Sequence, residues 1–274
     1  MFLADSHCHI LDPRLVERAE EIVARLDEDG LEFIVEISAS PQESYDALEF
    51  AGKHEKVYCT LGVHPHVADQ YSDEFERWVL SLCEKLPSPT ATPPLQKGDL
   101  WKKKVVAVGE CGLDYYYMTQ PKELQKQIFA RQIMLADRMK LPLVVHMRDA
   151  FDDMMDILID HKAYLKNGLL FHCYSEGASE ITRIREHFDA YFAFGGAITY
   201  KGAAKSQDAI RAVPLDRIMV ETDAPYLTPT PLRGKVNEPK NVRYVAEHVA
   251  GVLGLPFEEV SRATLENTRR FFKV

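Results

Sequence analysis

The feature that most constrains the fold of this chain is the regular alternation of short apolar runs with longer amphipathic segments. Strands of a parallel sheet are short apolar runs, and the helices that connect them are amphipathic. Eight runs are predicted to be strands, at 2–8, 32–38, 57–62, 105–110, 142–147, 168–173, 190–195 and 217–222. The predicted helices lie near 13–29, 41–54, 72–86, 121–140, 150–163, 177–187, 203–213 and 240–252, followed by a helical C-terminus. Eight strands that each precede a helix predict an α/β fold, the (β/α)8 TIM barrel.

The length of 274 residues fits one such barrel, because these barrels commonly form a single domain of about 250 residues. We therefore expect a single domain over 1–274. One segment interrupts the alternation: residues 86–104, LPSPTATPPLQKGDLWKKK, are rich in Pro, Thr and Lys and show no periodicity. This composition predicts a solvated loop insertion. Because it lies between a helix and the next strand, it belongs to the face opposite the usual active site of a barrel, and we expect no chemical role for it.

Composition and charge limit the function classes. No apolar run approaches the roughly 20 residues that a membrane helix needs, and the apolar start lacks a basic leader, so we expect a cytoplasmic protein with no membrane association. The net charge of −9 argues against a broad basic surface that coats nucleic acid. Any nucleic-acid chemistry would then depend on local positive charge, from a few side chains or a bound metal. The five cysteines form no CxxC pair and are predicted to be reduced thiols: Cys8, Cys59, Cys83, Cys111 and Cys173.

Residue types that bind metals recur where the predicted strands end. The candidates are His7, His9, Glu110, His146, His172 and Asp223. In a barrel the carboxyl ends of the strands surround one pocket, so these six side chains are predicted to converge. Side chains alternate across a strand, which places His7 and His9 on one side and Cys8 on the other. Each residue alone also has a structural interpretation, as a buried histidine, a helix cap or a turn residue, but six such residues at strand ends favour a metal site.

Four histidines and two carboxylates exceed the three or so protein ligands of one catalytic zinc. Two ions that share a carboxylate account for the surplus. We predict that His7, His9 and Asp223 hold one ion and that His146 and His172 hold the other, with Glu110 between them. Mixed nitrogen and oxygen ligands leave zinc, manganese and magnesium open, and four imidazoles favour a transition metal.

Seven motifs in chain order resemble the TatD family of metal-dependent deoxyribonucleases, which are amidohydrolase-like TIM barrels. They run from residue 5 to residue 239 and read DSHCHI, GVHPH, GECGLDYY, PLVVHMRDA, FHCYS, ETDAPYLTP and GKVNEP. The resemblance implies a hydrolase with two metal ions that cleaves phosphodiester bonds and typically trims DNA from the 3′ end. It places the family's ligands on the same six residues. No protein partner is inferred from the sequence.

Four further residues are predicted to support the site. His64 and His66 match the family's HPH element, which implies a contact on the phosphate side of the substrate. Arg148 lies two residues beyond His146, and its guanidinium suits a phosphate clamp; the alternative is a salt bridge to a neighbouring acid. Glu221 is predicted to orient a histidine ligand from behind.

The predicted catalytic residues are Asp223, as a general base that also ligates metal, and Glu110, as the bridging carboxylate. The hypothesis is attack of a metal-bridging hydroxide on phosphorus. Glu110 stands where related barrels carry a carbamylated lysine, which favours the nuclease branch. Three positions depart from the family pattern, Glu176, Leu232 and Val236, where Gly, His and Arg are frequent. The alternatives are therefore an amidohydrolase or esterase acting on a small ester, lactone or amide, an aminoacyl-tRNA deacylase, or a metal-binding protein without activity.

Overall fold

A computed structural model describes residues 2–82 and 103–274. All eight predicted strands are present: β1 (Leu3–Cys8), β2 (Leu31–Glu36), β3 (Val57–Leu61), β4 (Val105–Asp114), β5 (Leu143–Arg148), β6 (Leu169–Phe171), β7 (Tyr191–Phe194) and β8 (Ile218–Val220). The α-helices of the described ranges are α1 (Ala19–Ala24), α2 (Pro41–Lys53), α3 (Asp73–Ser81), α4 (Lys122–Met139), α5 (Phe151–Asp160), α6 (Ala178–His187), α7 (Ala204–Ala212), α8 (Val242–Leu253) and α9 (Phe257–Phe272). The strands follow one another in the sheet in chain order, which confirms the predicted (β/α)8 class.

The chain divides into two compact units. The first unit comprises Met1–Glu36 and Gly168–Val274, and the second comprises Ile37–Asn167. In the first unit β1 pairs with β2, β6 with β7, and β7 with β8, while a parallel bridge from Cys8 to Ala224 joins the end of β1 to the chain after β8. In the second unit β4 pairs with both β3 and β5. The single domain over 1–274 stays a prediction, and the predicted insertion lies outside the described residues except for Lys103 and Lys104.

Strand β4 differs most from its prediction, because it runs four residues further and ends at Asp114. The four residues after Glu110, CGLD, were not predicted to belong to the strand, because glycines weaken strand interiors. Here a glycine is required: Gly112 has φ +143°, and a Cβ at this position would overlap the carbonyl oxygen of His146 on β5. The extension places Glu110 inside the strand rather than at its end. It also brings Asp114 into register with Arg148.

Local signals explain where several connecting helices begin. Ser40 caps α2 by accepting a hydrogen bond from the backbone of Glu43, and Pro41 occupies the first turn. Ser72 caps α3 in the same way through the backbone of Phe75. These starts agree with the predicted helices near 41–54 and 72–86, although the residues of the latter after Leu82 lie outside the described ranges.

The thiols and the lysine before β4 are structural. Cys8, Cys59 and Cys111 are buried thiols, Cys173 is a partly buried thiol, and Cys83 lies outside the described residues. Burial raises the pKa of the Cys8 and Cys111 thiols well above the usual range, so neither is a reactive thiolate at neutral pH. Lys104 is buried and donates from Nζ to the carbonyl oxygens of residues 54, 55 and 57.

Within the described ranges, no helix has both the length and the apolar character that a membrane crossing needs.

Candidate metal centre

Four side chains of the first unit meet where its strands end. His9 directly follows β1, His172 directly follows β6, and Asp223 lies three residues beyond β8. His7 and His9 both approach the same oxygen, with Nε2 of each lying 3.6 and 3.4 Å from Asp223 Oδ1. One ligand atom from each of His7, His172 and Asp223 lies within 4.8 Å of the others. We call His7, His9, His172 and Asp223 the β1 cluster.

The donor set of the β1 cluster fits a divalent metal ion. Bonds of about 2.0 to 2.2 Å place neighbouring ligand atoms of one ion about 3 to 4 Å apart, which agrees with the two distances to Asp223. The rings of His7 and His172 stack in parallel, with centroids 3.9 Å apart and planes 8° from parallel. Burial opposes ionisation of Asp223, but the hydrogen bond to His9 and the neighbouring imidazoles lower its pKa. An ionised carboxylate among imidazoles is a suitable set for zinc or manganese.

The loop that carries Asp223 is fixed by a buried carboxylate that sequence reasoning missed. Asp5 is fully buried and accepts hydrogen bonds from both the backbone N–H and the hydroxyl of Thr222. Asn237 holds the other side of this loop by donating to the carbonyls of Thr222 and Tyr226. The signal was present in the sequence, since Asp5 precedes His7 by two residues and therefore faces the same side of β1.

Glu221 lies behind His172. Its side chain is fully buried, and Oε1 accepts a hydrogen bond of 2.7 Å from the backbone of Cys173 while lying 3.4 Å from His172 Nδ1. This position suits the predicted role of orienting a histidine ligand.

A second set of ligand types lies in the second unit. His64 follows β3, Glu110 is on β4 and His146 is on β5, and one ligand atom from each lies within 4.8 Å of the others. Glu110 Oε1 is 2.8 Å from His146 Nδ1 and 3.4 Å from His64 Nε2. We call His64, Glu110 and His146 the β4 cluster. The prediction for His64 was a substrate contact, but the structure places His64 among the candidate ligands. The structure also groups His172 with the β1 cluster and not with His146.

The tautomer and charge of His64 suit a ligand. Its Nδ1 accepts a hydrogen bond of 3.1 Å from the backbone of His66, which leaves Nε2 facing Glu110. Burial, with a contribution from nearby His146, lowers the pKa of His64 to about 4. The imidazole is therefore neutral at pH 7, the form that binds metal.

Asp114, which was not predicted as a site residue, supports the β4 cluster. Its Oδ2 lies 3.1 Å from His146 Nε2 and 2.9 Å from His66 Nε2, and its Oδ1 accepts from the backbones of Tyr116 and Tyr117. Burial opposes ionisation, yet the hydrogen bonds from His146 and from the backbone hold the pKa of Asp114 well below its usual range. A carboxylate that fixes the outer nitrogen of a ligand histidine sets the ring's orientation. The two-residue spacing of Glu110, Gly112 and Asp114 was the available signal.

Arg148 is stacked rather than ion-paired. Its guanidinium lies 4.0 Å from the ring centroid of Tyr116 and 4.8 Å from that of Tyr117. Among the residues that the structure describes, no carboxylate forms a salt bridge with it, so the alternative of a neighbouring acid is not observed.

Three residues depart from the pattern of the family that the motifs resemble: Glu176, Leu232 and Val236. Glu176, the added acid, forms an ion pair of 2.7 Å with Lys205, so its charge is balanced. Val236 is half exposed. Leu232 accepts a backbone hydrogen bond from Lys235 in a turn.

Comparison with known proteins places the whole chain in one family. The model of TatD related DNase matches residues 4–273. The uncharacterized metal-dependent hydrolase YabD of Bacillus subtilis is 35% identical over 272 residues, 99% of each chain. The uncharacterized metal-dependent hydrolase YcfH of Escherichia coli is 33% identical over 278 residues, covering 100% of this chain and 97% of the relative. The crystal structure of YJJV, a TatD homologue from Escherichia coli K12, superimposes with a TM-score of 0.86 at 28% identity, covering 99% of this chain and 98% of that one.

Proposed function

This chain is a metal-dependent hydrolase that belongs to the family of TatD-related DNases, and we propose that its substrate is DNA, cleaved at phosphodiester bonds from the 3′ end. The observation that carries the proposal is the position of Arg148. It lies on the same strand as the candidate ligand His146, two residues further along, and no carboxylate of the described residues pairs with it. A fork of N–H donors with uncompensated positive charge suits a phosphoryl group better than a neutral ester or amide.

We propose one divalent ion in each cluster, zinc, manganese or magnesium. The β1 cluster would hold the first and the β4 cluster the second. When bound, such ions supply a water of lowered pKa and draw charge from the phosphoryl oxygens. The hypothesis that both ions share Glu110 stays a prediction.

The chain's own residues then have distinct roles. Asp223 is ionised and accepts the proton of the attacking water as general base. Glu110 holds His146 and His64 through a single oxygen. Arg148 donates to the phosphate and keeps it in line for attack, and Asp114 and Glu221 maintain the orientation of His146 and His172.

The test is release of nucleotides from 3′-labelled single-stranded DNA by the metal-loaded protein. His172→Ala removes a ligand of the β1 cluster, and His187→Ala, an exposed histidine at the end of α6, serves as the matched control. We expect release by the wild type and by His187→Ala, and loss of release in His172→Ala. No release by the wild type, or equal release by His172→Ala, would contradict the proposal.

Two further measurements separate the alternatives. Turnover of p-nitrophenyl esters, lactones or aminoacyl-tRNA with DNA left intact would identify the substrate as a carboxylic ester. Metal analysis after reconstitution should give about two equivalents of divalent ion per chain. A single equivalent would contradict the second ion.

A further inference from the structure

Three consecutive side chains beyond the carboxyl end of β4 are unusually exposed for their type. Tyr116, Tyr117 and Met118 are 58%, 56% and 44% exposed. Exposed groups of large apolar side chains commonly mark a binding surface. None of the three was predicted as a site residue, and the proposed chemistry does not use them.

The two tyrosines are held in place. Asp114 Oδ1 accepts the N–H groups of Tyr116 and Tyr117 at 3.0 and 2.9 Å, which fixes the turn at its start. The two rings meet edge to face with centroids 4.9 Å apart, and the ring of His66 meets that of Tyr117 in the same way at 5.3 Å. The rings are therefore ordered before a ligand arrives, which lowers the entropic cost of binding.

Arg148 adds a charge to this surface. Three other arginines that lie over tyrosines are neutralised: Arg14 over Tyr226 pairs with Asp12, Arg131 over Tyr71 with Glu76, and Arg217 over Tyr191 with Asp189. Arg233 over Tyr200, like Arg148, forms no salt bridge among the described residues, but it contacts one ring and not two. Arg148 stacks on both Tyr116 and Tyr117 without a carboxylate from the described residues. Its guanidinium is thus held against two rings while its N–H groups keep their capacity for an anion.

An anion site beside two exposed aromatic rings matches the chemistry of a nucleotide. We propose that Tyr116, Tyr117 and Arg148 form a nucleotide platform, on which a base stacks against the tyrosines while Arg148 donates to the adjacent phosphate. The inference rests on the proposed function and adds to it a contact for one unpaired base. In a duplex the faces of the bases are covered by their neighbours, whereas a single strand offers them for stacking.

The test measures binding with the metal-loaded protein and a labelled single strand whose phosphorothioate linkages resist cleavage. Base–aromatic stacking of about 1 to 3 kcal/mol corresponds to a Kd that rises about 5- to 150-fold in Tyr117→Ala or Tyr116→Ala. Tyr117→Phe keeps the ring and should bind like the wild type, and Tyr117→Leu keeps bulk without an aromatic face and should bind weakly. Tyr164→Ala, at an exposed tyrosine in the turn between α5 and β6, is the matched control.

An abasic strand of the same length identifies the contact. On it the wild type and Tyr117→Ala should bind equally, because there is no base to stack. In cleavage of ordinary DNA, KM should rise in Tyr117→Ala while kcat changes by less than about twofold, and thermal melting should show that each variant is folded.

Several outcomes would overturn the platform: equal binding of DNA by wild type and Tyr117→Ala, a loss in Tyr117→Ala that persists on the abasic strand, or duplex DNA bound as tightly as single strands. Cleavage of DNA by the wild type in the same preparations would leave the proposed function intact. Tyrosine-dependent binding without cleavage would instead retain the platform and contradict the nuclease, and a wild type that neither binds nor cleaves DNA would overturn both.

Discussion

Replacement of Asp114 by Asn separates two roles of one carboxylate. Oδ1 accepts the backbone N–H groups of Tyr116 and Tyr117, while Oδ2 faces His66 and His146. The amide of Asn keeps an oxygen for the backbone and places an NH2 group where Oδ2 stood. That group donates and cannot accept from an imidazole N–H. The turn is therefore retained, and the hold on His146 is lost.

The size of the effect follows from the contacts. A hydrogen bond to a charged group is worth about 1.5 to 3 kcal/mol. Loss of a carboxylate that orients a ligand histidine typically costs 10- to 100-fold in metal affinity, about 1.4 to 2.8 kcal/mol. We therefore expect Asp114→Asn to raise the Kd of the ion in the β4 cluster by this factor. The ion in the β1 cluster should bind as in the wild type.

Competition with a chromophoric chelator measures both affinities. Asp153→Asn is the matched control. Asp153 accepts a hydrogen bond from the Tyr115 hydroxyl and pairs with Lys126, but it contacts neither His66 nor His146. It should leave both metal affinities unchanged. The reasoning is refuted if Asp114→Asn binds two ions with wild-type affinity, or if Asp153→Asn loses as much as Asp114→Asn does.

Two further predictions concern stability. Hydrogen bonds from Arg14 lower the pKa of Asp12 to about 2 from the ordinary 3.8, so the ionised form stabilises the fold above about pH 4 and this contribution is lost as the pH falls through 2. With a discount for the partly exposed Arg14, Asp12→Asn should lower the free energy of unfolding by about 1 kcal/mol at pH 6. Urea titrations should show that the difference in this free energy between wild type and variant narrows below pH 4. A difference that stays constant with pH would contradict the assignment. A divalent ion at 100 times its Kd should raise the free energy of unfolding by about 2.7 kcal/mol per site. A chelator should therefore lower the Tm of the wild type, and should lower that of His172→Ala by less. A Tm that does not respond to chelation would contradict metal binding by the folded protein.

The order of the elements was predictable because parallel strands leave a direct trace in the sequence. Each apolar run sits at a strand of the structure, and strand parity correctly separates Cys8, which donates to a carbonyl of β2, from His7 and His9. The end of β4 was not predictable from apolar periodicity, since Gly112 interrupts the pattern after Glu110. What retains the strand there is the close approach of β5, which is a property of the fold and not of the segment.

The grouping of the candidate ligands also required the structure. Sequence reasoning identifies which residues stand at strand ends, but it does not say which rings meet. His172 stacks on His7, and His64 approaches the same oxygen of Glu110 as His146 does. Asp5 and Asp114 were missed for another reason. Each looks like an ordinary acid in the sequence, and its role depends on the burial and the hydrogen bonds that the fold supplies.

The acidic net charge and the proposed substrate are reconciled by where the positive charge lies. A chain with net charge −9 repels DNA at long range, so affinity must come from contacts at the site itself. The proposed ions, Arg148 and base stacking supply such contacts, and only the first two depend on phosphate charge. A protein that neutralises about two phosphates of a single strand has a slope of log K against log salt concentration of about −1.4. This slope is far shallower than that of proteins that coat nucleic acid. Binding of this kind favours a strand end held by one or two nucleotides over an extended segment, which agrees with the proposed removal of nucleotides from the 3′ end.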